Sequence, residues 1–192
     1  MDKQRGEIIA VSAPSGTGKT TILKNILRDF PELVFSVSAT TRKKREFEVE
    51  GVDYFFISEN EFENKIRNNE FVEWEKFYDY YYGTYKVFIE NNINYGRSVI
   101  AEVDVKGALS LKKIYPQAVL IFICPPSLEE LKYRLVNRNT ESDEELRKRI
   151  ERAEMELNHK GKFDYCIENN DLEKAILETE SLIKKIIHKE KS

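Results

Sequence analysis

Cysteine is nearly absent from this chain: Cys124 and Cys166 are the only two in 192 residues, and both lie inside apolar stretches. So few thiols exclude a disulfide-built scaffold, and neither spacing makes a metal-binding pair. The expectation is two buried free thiols in a reducing compartment. Long apolar runs are missing as well. Nothing approaches the ~18 consecutive apolar residues of a membrane span. The opening Met1-Asp2-Lys3-Gln4-Arg5 is polar, with no apolar stretch of signal-peptide length behind it, so the expected address is cytoplasmic, with no membrane partner. Positive charge is not in excess either. Thirty-one Lys and Arg face 34 Asp and Glu for a net charge of -3, which argues against a nucleic-acid partner and leaves any positive potential to be local. No internal repeat or low-complexity linker occurs.

What is present suits one compact domain, large enough for a packed core and a small mobile lobe. Hydrophobic residues make up 41% and charged residues 34%, a balance of core and solvated surface. Three apolar runs read as strands: Ile8-Ile9-Ala10-Val11, Ser98-Val99-Ile100-Ala101 and Ala118-Val119-Leu120-Ile121-Phe122-Ile123. Each is continuous where a half-exposed strand would alternate, as expected of strands covered on both faces in a parallel sheet. Helices fall between them. Ile22, Leu23, Ile26, Leu27 and Phe30 form one stripe after the first strand. Two more helices begin at capping boxes, Ser127-x-x-Glu130 and Ser142-x-x-Glu145, and in the second Leu146, Ile150, Ala153 and Leu157 recur at helical spacing. The last helix carries Leu172, Ile176, Leu182, Ile183, Ile186 and Ile187. Strand alternating with helix predicts an α/β fold, with ligands at the carboxyl ends of the strands. From about Ser38 to Tyr85 the rhythm breaks into charge and aromatics, with short strand candidates at 54–57 and 71–74. This reads as an inserted, partly antiparallel lobe.

Straight after the first strand comes Ala13-Pro14-Ser15-Gly16-Thr17-Gly18-Lys19-Thr20-Thr21, and then a helix. This is the P-loop pattern with Ala13 in place of the first glycine. Gly16 and Gly18 let successive backbone N–H groups turn toward phosphate oxygens, and the helix N-terminus adds a positive dipole end. The pattern sends Lys19 to the β- and γ-phosphates of a nucleotide and the Thr20 hydroxyl to Mg²⁺. The motif does not name the acceptor, because switches, motors and kinases share it.

The acceptor must be sought elsewhere. In Ser36-Val37-Ser38-Ala39-Thr40-Thr41-Arg42-Lys43-Lys44-Arg45, two arginines at spacing three could fork onto a dianionic phosphate or could simply be solvated surface. Further on lie Tyr54, Glu73 and Tyr81-Tyr82-Gly83-Thr84. Several rings of the run Tyr78–Tyr82 are expected to be lobe packing.

These segments taken together resemble the GMP-binding lobe of guanylate kinases: Ser38-x-Thr40-Thr41-Arg42-x-x-Arg45, Gly51-x-Asp53-Tyr54-x-Phe56, Glu70-Phe71-x-Glu73 and Tyr81-Tyr82-Gly83-Thr84. The resemblance continues through Val103-Asp104-x-x-Gly107, Pro125-Pro126-Ser127, Arg134-x-x-x-Arg138 and Asn169-x-Asp171-Leu172. It implies a P-loop-type parallel sheet core flanked by helices, with an inserted monophosphate-binding lobe and a helical lid. The chain would be one domain over 1–192, with core 1–37, 86–126 and 160–192, lobe 38–85 and lid 127–159. It further implies that Arg42, Arg45, Tyr54 and Tyr82 hold the GMP phosphate, while Ser38, Glu73 and Thr84 read guanine. A carboxylate at Glu73 suits that reading, since guanine offers N1–H and a 2-amine where adenine offers a lone pair. Two departures stand out. Where the family usually has Asp-x-Asp-x-x-Gly, this chain has Glu102-Val103-Asp104-x-Lys106-Gly107. Glu102, at Mg²⁺ or guanine, keeps the charge but reaches about an ångström further. Lys106 stands where glutamine is common.

Among the charges on the two helices after Ser127, most are expected to be solvated. The resemblance singles out Arg134, Arg138 and Arg149 as lid arginines over the ATP phosphates, leaving Arg147 and Arg152 as surface. Asn169 would lie near the adenine or serve a turn. The implied reaction is ATP + GMP giving ADP + GDP, with ATP carried as its Mg²⁺ complex. Lys19, Arg42, Arg138 and Arg149 would neutralise charge on the passing phosphoryl group. The GMP oxygen is already anionic, so no general base is needed, and His159 and His188 read as exposed helix-end residues. Two other readings are weighed against this one. A kinase for a sugar bisphosphate would have no guanine to read. A guanylate-kinase-like docking module would have lost the phosphate cradle. Oligomeric state has no signature in the sequence.

Overall fold

The computed structural model describes residues 5–77, 79–137 and 143–188. In chain order the elements are β1 (Ile8–Ser12), α1 (Lys19–Asp29), β2 (Val34–Ser36), β3 (Ala39–Thr40), β4 (Phe55–Phe56), α2 (Glu59–Arg67), β5 (Phe71–Phe77) and β6 (Tyr80–Tyr85). They continue with α3 (Lys86–Asn94), β7 (Val99–Glu102), α4 (Val105–Ile114), β8 (Val119–Cys124), α5 (Leu128–Val136), α6 (Asp143–Leu157), a 3₁₀ turn at Lys160–Lys162, β9 (Tyr165–Glu168) and α7 (Leu172–His188). One sheet has the strand order β2-β7-β1-β8-β9 and a second the order β4-β3-β6-β5. The three continuous apolar runs are thus β1, β7 and β8. All five residues of β1 are buried, as expected of a strand covered on both faces.

The chain divides into two compact units, Met1–Ala10 with Glu32–Ala118 and Val11–Pro31 with Val119–Ser192. In the first, β2 runs parallel to β7 with Phe35 opposite Ile100. The same unit carries the predicted aromatic lobe. There β3 pairs in parallel with β4 and antiparallel with β6, and β5 pairs antiparallel with β6. Its core is Ala39, Phe62 and Phe71, with Phe55, Ile57, Ile66, Tyr81 and Tyr85 packed around them. Phe62 stacks on Phe71 and on Tyr81 with ring centroids 4.4 and 5.2 Å apart. So Tyr81 and Tyr85 are packing residues, Tyr80 is exposed, and Tyr78 lies outside the described residues. Ser58 caps α2 by accepting from the Glu61 N–H, satisfying one of the orphan donors of a helix start.

In the second unit, β8 runs parallel to β9 with Phe122 opposite Cys166. Ser127 caps α5, accepting from the Glu130 N–H at 3.0 Å, as its capping box predicts. The second box, at Ser142, falls outside the described residues. The α6 stripe does pack: Leu146, Ile150 and Leu157 lie against the cluster of Leu131, Leu135 and Ala153. On α7 the buried line is Ala175, Thr179 and Ile183, whereas Leu172 is exposed. One expectation is corrected. Cys124 and Cys166 are joined as a disulfide, not free thiols. Forty-two residues separate them in the chain, but β8 and β9 are neighbouring strands, and pairing in the sheet brings the two sulfurs together.

Candidate active site

The second unit holds the phosphate cradle. Gly16 and Gly18 adopt φ of 91° and 87°, in the left-handed region that a side chain disfavours. Space is short as well: a Cβ on Gly18 would come 2.5 Å from Asn169 Nδ2. Gly18 occupies the N-cap of α1 and offers no side chain to cap it, leaving the first-turn N–H groups without intrahelical acceptors, the arrangement that receives anionic oxygens. Thr17 is buried, and its hydroxyl donates to the Pro14 carbonyl at 2.9 Å. Ala13 and Pro14 are buried, while Ser15, Thr20 and Thr21 are exposed and Lys19 is half-buried. The loop therefore folds around its apolar start and presents its later hydroxyls outward.

Asn169, expected near the adenine or in a turn, follows β9. It is buried, its Nδ2 donates to the Thr17 carbonyl at 2.7 Å, and its own N–H donates to the Cys124 carbonyl at 2.8 Å. Asn169 thus braces the P-loop from beneath. Arg134 donates to Glu130 Oε1 at 2.8 Å and to the Asn169 carbonyl at 3.2 Å. Arg149 lies half-buried on α6. Arg138 is outside the described residues. Arg147 is exposed beside Glu151, and Arg152 donates to Glu156 Oε1 at 2.7 Å.

The first unit holds the other predicted residues, and it brings them into two groups. In one, Arg42 Cζ lies 5.5 Å from the centre of the Tyr54 ring, and that ring meets Tyr82 edge-on at 5.9 Å. Burial, with the Glu102 charge adding to it, pushes the Tyr54 hydroxyl up to about 12. It remains a protonated donor at any working pH. Arg45 is exposed in the same segment.

The other group surrounds Glu73. A β-bulge between Phe71 and Glu73 shifts the register of β5 against β6, so that Glu73 stands opposite Thr84. Without the extra residue Thr84 would face Val72 and the carboxylate would be misaligned. The buried Thr84 hydroxyl donates to Glu73 Oε1 at 2.5 Å. On its other oxygen Glu73 crowds the start of α4: a Cβ on Gly107 would come 2.5 Å from Glu73 Oε2. Asp104 caps that helix, its Oδ1 accepting from the Gly107 N–H at 2.6 Å. Burial pushes the Glu73 carboxyl up to about 7, with the Asp104 and Glu75 charges adding to the rise and the Thr84 hydrogen bond opposing it. Ser38 leads into β3, and its carbonyl accepts from the Phe55 N–H at 2.9 Å. Lys106 is largely exposed, with its Nζ 3.9 Å from Glu75 Oε1.

Sequence reasoning missed Glu48 altogether. It is buried, and its carboxylate takes both ends of the Arg42 guanidinium at 2.6 and 2.9 Å. The hydrogen bonds with Arg42 hold the Glu48 carboxyl far below its usual range, at about 2. Glu46, Glu48 and Glu50 alternate in the chain, and nothing local distinguishes the middle one. Glu102 and Asp104 bracket the end of β7.

Among the described residues no group of three or more His, Cys, Asp or Glu side chains could hold a metal, and no helix is long and apolar enough to cross a membrane.

Residues 5–186 match the guanylate kinase family model. The chain is 45% identical over 181 residues to a guanylate kinase of Caldanaerobacter subterraneus subsp. tengcongensis, covering 94% of this chain and 88% of that one. It is 49% identical over 173 residues to a guanylate kinase of Chlorobaculum tepidum, covering 90% and 89%. The crystal structure of guanylate kinase from Anaplasma phagocytophilum superposes with a TM-score of 0.77 at 32% identity, over 97% of this chain and 89% of that one.

Proposed function

The chain belongs to the guanylate kinase family, and from that premise we propose a division of labour among its residues for moving the γ-phosphate of ATP onto GMP. The observation that carries it is the Glu73 constellation. A carboxylate enclosed in the lobe, held on one oxygen by Thr84 and seated against Gly107 on the other, is an acceptor pair for two donors in one plane. Guanine supplies such a pair; adenine, cytosine and uracil do not.

In this reading Arg42, Arg45, Tyr54 and Tyr82 bind the GMP phosphate, and Ser38, Glu73 and Thr84 bind the base, with Glu102 and Asp104 close to it. The P-loop from Ala13 to Thr21 wraps the ATP phosphates, and Lys19 neutralises the γ-phosphoryl group as it transfers. Arg134, Arg138 and Arg149 supply further positive charge from the lid. Asn169 acts through the loop it braces. The attacking GMP oxygen is anionic, so no residue has to remove a proton. The protein's contribution is alignment and charge neutralisation.

Mg²⁺ fits the residues present. The Thr20 hydroxyl stands exposed in the first turn of α1, and a hard oxygen donor beside a triphosphate is how this ion is commonly held, mainly by phosphates and water. The bound ion would add positive charge at the β- and γ-phosphates. The enzyme is proposed to work in the cytoplasm.

The test is ADP release from Mg-ATP with GMP, AMP, UMP or no acceptor. Turnover with GMP alone is expected. Equal turnover with AMP would remove the guanine-reading role of Glu73, and turnover with none of them would remove the reaction.

A further inference from the structure

Glu48 lies in the turn between β3 and β4, on a stretch where residues 43–47 and 49–50 are all exposed and it alone is buried. No ordinary turn residue is a fully engaged acid. Its Oε1 accepts from Arg42 Nη2 at 2.6 Å, and its Oε2 accepts from Arg42 Nη1 at 2.9 Å and from the Arg45 backbone N–H at 2.8 Å. Its carbonyl accepts from Lys44 Nζ at 2.9 Å, and its own N–H donates to the Arg45 carbonyl at 3.1 Å. One residue therefore ties together Arg42, Lys44 and Arg45.

The geometry decides what Arg42 has left to offer. A guanidinium carries five N–H donors in a rigid plane. Both hydrogens on Nη1 are spent, on Glu48 and on the Lys43 carbonyl at 2.8 Å, and one on Nη2 is spent on Glu48. Glu48 and Lys43 leave the Nε–H and the second Nη2–H, two parallel donors along the opposite edge that the Tyr82 side chain also hydrogen-bonds, and such an edge suits a phosphate gripped by two oxygens. The same guanidinium interacts with the Tyr82 side chain and lies 5.5 and 5.7 Å from the ring centres of Tyr54 and Phe56. It is held by its far end, between rings.

We infer that Glu48 is a positioning residue for the acceptor phosphate: it clamps Arg42 so that one edge faces the ligand, and it sets the turn that carries Arg45. This rests on the reading of Arg42 as a phosphate contact. A pure charge argument gives the opposite sign. Removing an acid from among Arg42, Lys43, Lys44 and Arg45 makes the segment more positive, which by itself would tighten a phosphate. Loss of the clamp instead frees a long side chain, whose ordering must then be supplied at binding.

The experiment measures kcat and separate KM values for GMP and ATP in the wild type, Glu48→Gln, Glu48→Asp, Arg42→Ala and the Arg42→Ala/Glu48→Gln double variant, with melting temperature alongside. For Glu48→Gln the GMP KM is expected to rise at least ~10-fold, the scale of a lost charge-assisted hydrogen bond. The ATP KM should stay near wild type. Glu48→Asp should recover part of the loss, and the double variant should be no worse than Arg42→Ala, since the clamp has nothing left to hold. An unchanged or lower GMP KM in Glu48→Gln, an equal rise in both KM values, or additive effects in the double variant overturns the inference. If Glu48→Gln does not fold, Glu48→Asp decides: a GMP KM equal to wild type in that variant also overturns it. If Arg42→Ala alone leaves the GMP KM unaltered, it is the underlying assignment of Arg42 that fails.

Discussion

Acidification should weaken GMP capture through one group, the Glu73 carboxyl. Burial, reinforced by the Asp104 and Glu75 charges and opposed by the Thr84 hydrogen bond, puts its pKa at about 7 in the free protein. Guanine presents two donors, so only the ionised carboxylate can accept both. Capture then draws on the ionised fraction, roughly half at pH 7 and about a tenth at pH 6. The kcat/KM for GMP should fall ~10-fold from its alkaline plateau to pH 6, and a further ~10-fold to pH 5. The GMP phosphate itself titrates near ~6, so the profile is best taken as a ratio to that of Glu73→Gln, which shares the phosphate but cannot ionise at position 73. The ratio should climb with pH and level off about one unit above the Glu73 pKa. Stability runs the other way. The folded pKa lies above the ordinary value of 4.5, so the contribution of Glu73 to folding is complete below that value and is lost as pH rises through about 7. GMP should therefore raise the melting temperature more at pH 8 than at pH 6. A ratio that stays flat between pH 5.5 and 8.5 would refute the reasoning, because no acid near neutrality would then be reading the base.

Three further outcomes can be checked. Lys19→Ala should lower turnover by at least ~10²-fold, the scale for losing a preorganised charge-stabilising group; near-normal turnover would contradict the role given to the cradle. Gly107→Ala places a methyl 2.5 Å from Glu73 Oε2, so the carboxylate must move. The GMP KM should rise ~10-fold with the ATP KM unaltered, and a rise in both would mean that α4 shifts as a whole. Reducing the Cys124–Cys166 bond should lower stability by roughly 4 kcal/mol on the chain-entropy model for the 42-residue separation. Comparing chemical denaturation with and without reductant, at equal pH, measures it.

Some of this protein was legible from the chain read as a string. The phosphate cradle is contiguous, and its conformation follows from local chemistry: two glycines that accept positive φ, then a helix that starts without a side-chain cap. The buried strands β1, β7 and β8 announced themselves as unbroken apolar runs, because a strand covered on both faces has no polar face to show. The stripe of α6 was legible for the same kind of reason, a period shared by all its apolar positions.

What escaped the string depends on distance along the chain. Nothing local distinguishes Glu48 from Glu46 or Glu50; only the folding of the turn onto Arg42 buries one and leaves the others in water. The facing of Glu73 and Thr84 rests on a bulge in β5, a one-residue shift that no hydropathy pattern encodes. Asn169 read as a base contact or a turn residue, and nothing in the string showed that β9 delivers its side chain to the Thr17 carbonyl 152 residues away. Cys124 and Cys166 read as separate thiols until two strands were paired. Local conformation is settled by the nearest few side chains. A charge, a carbonyl or a sulfur acquires its role from whatever the tertiary fold sets against it.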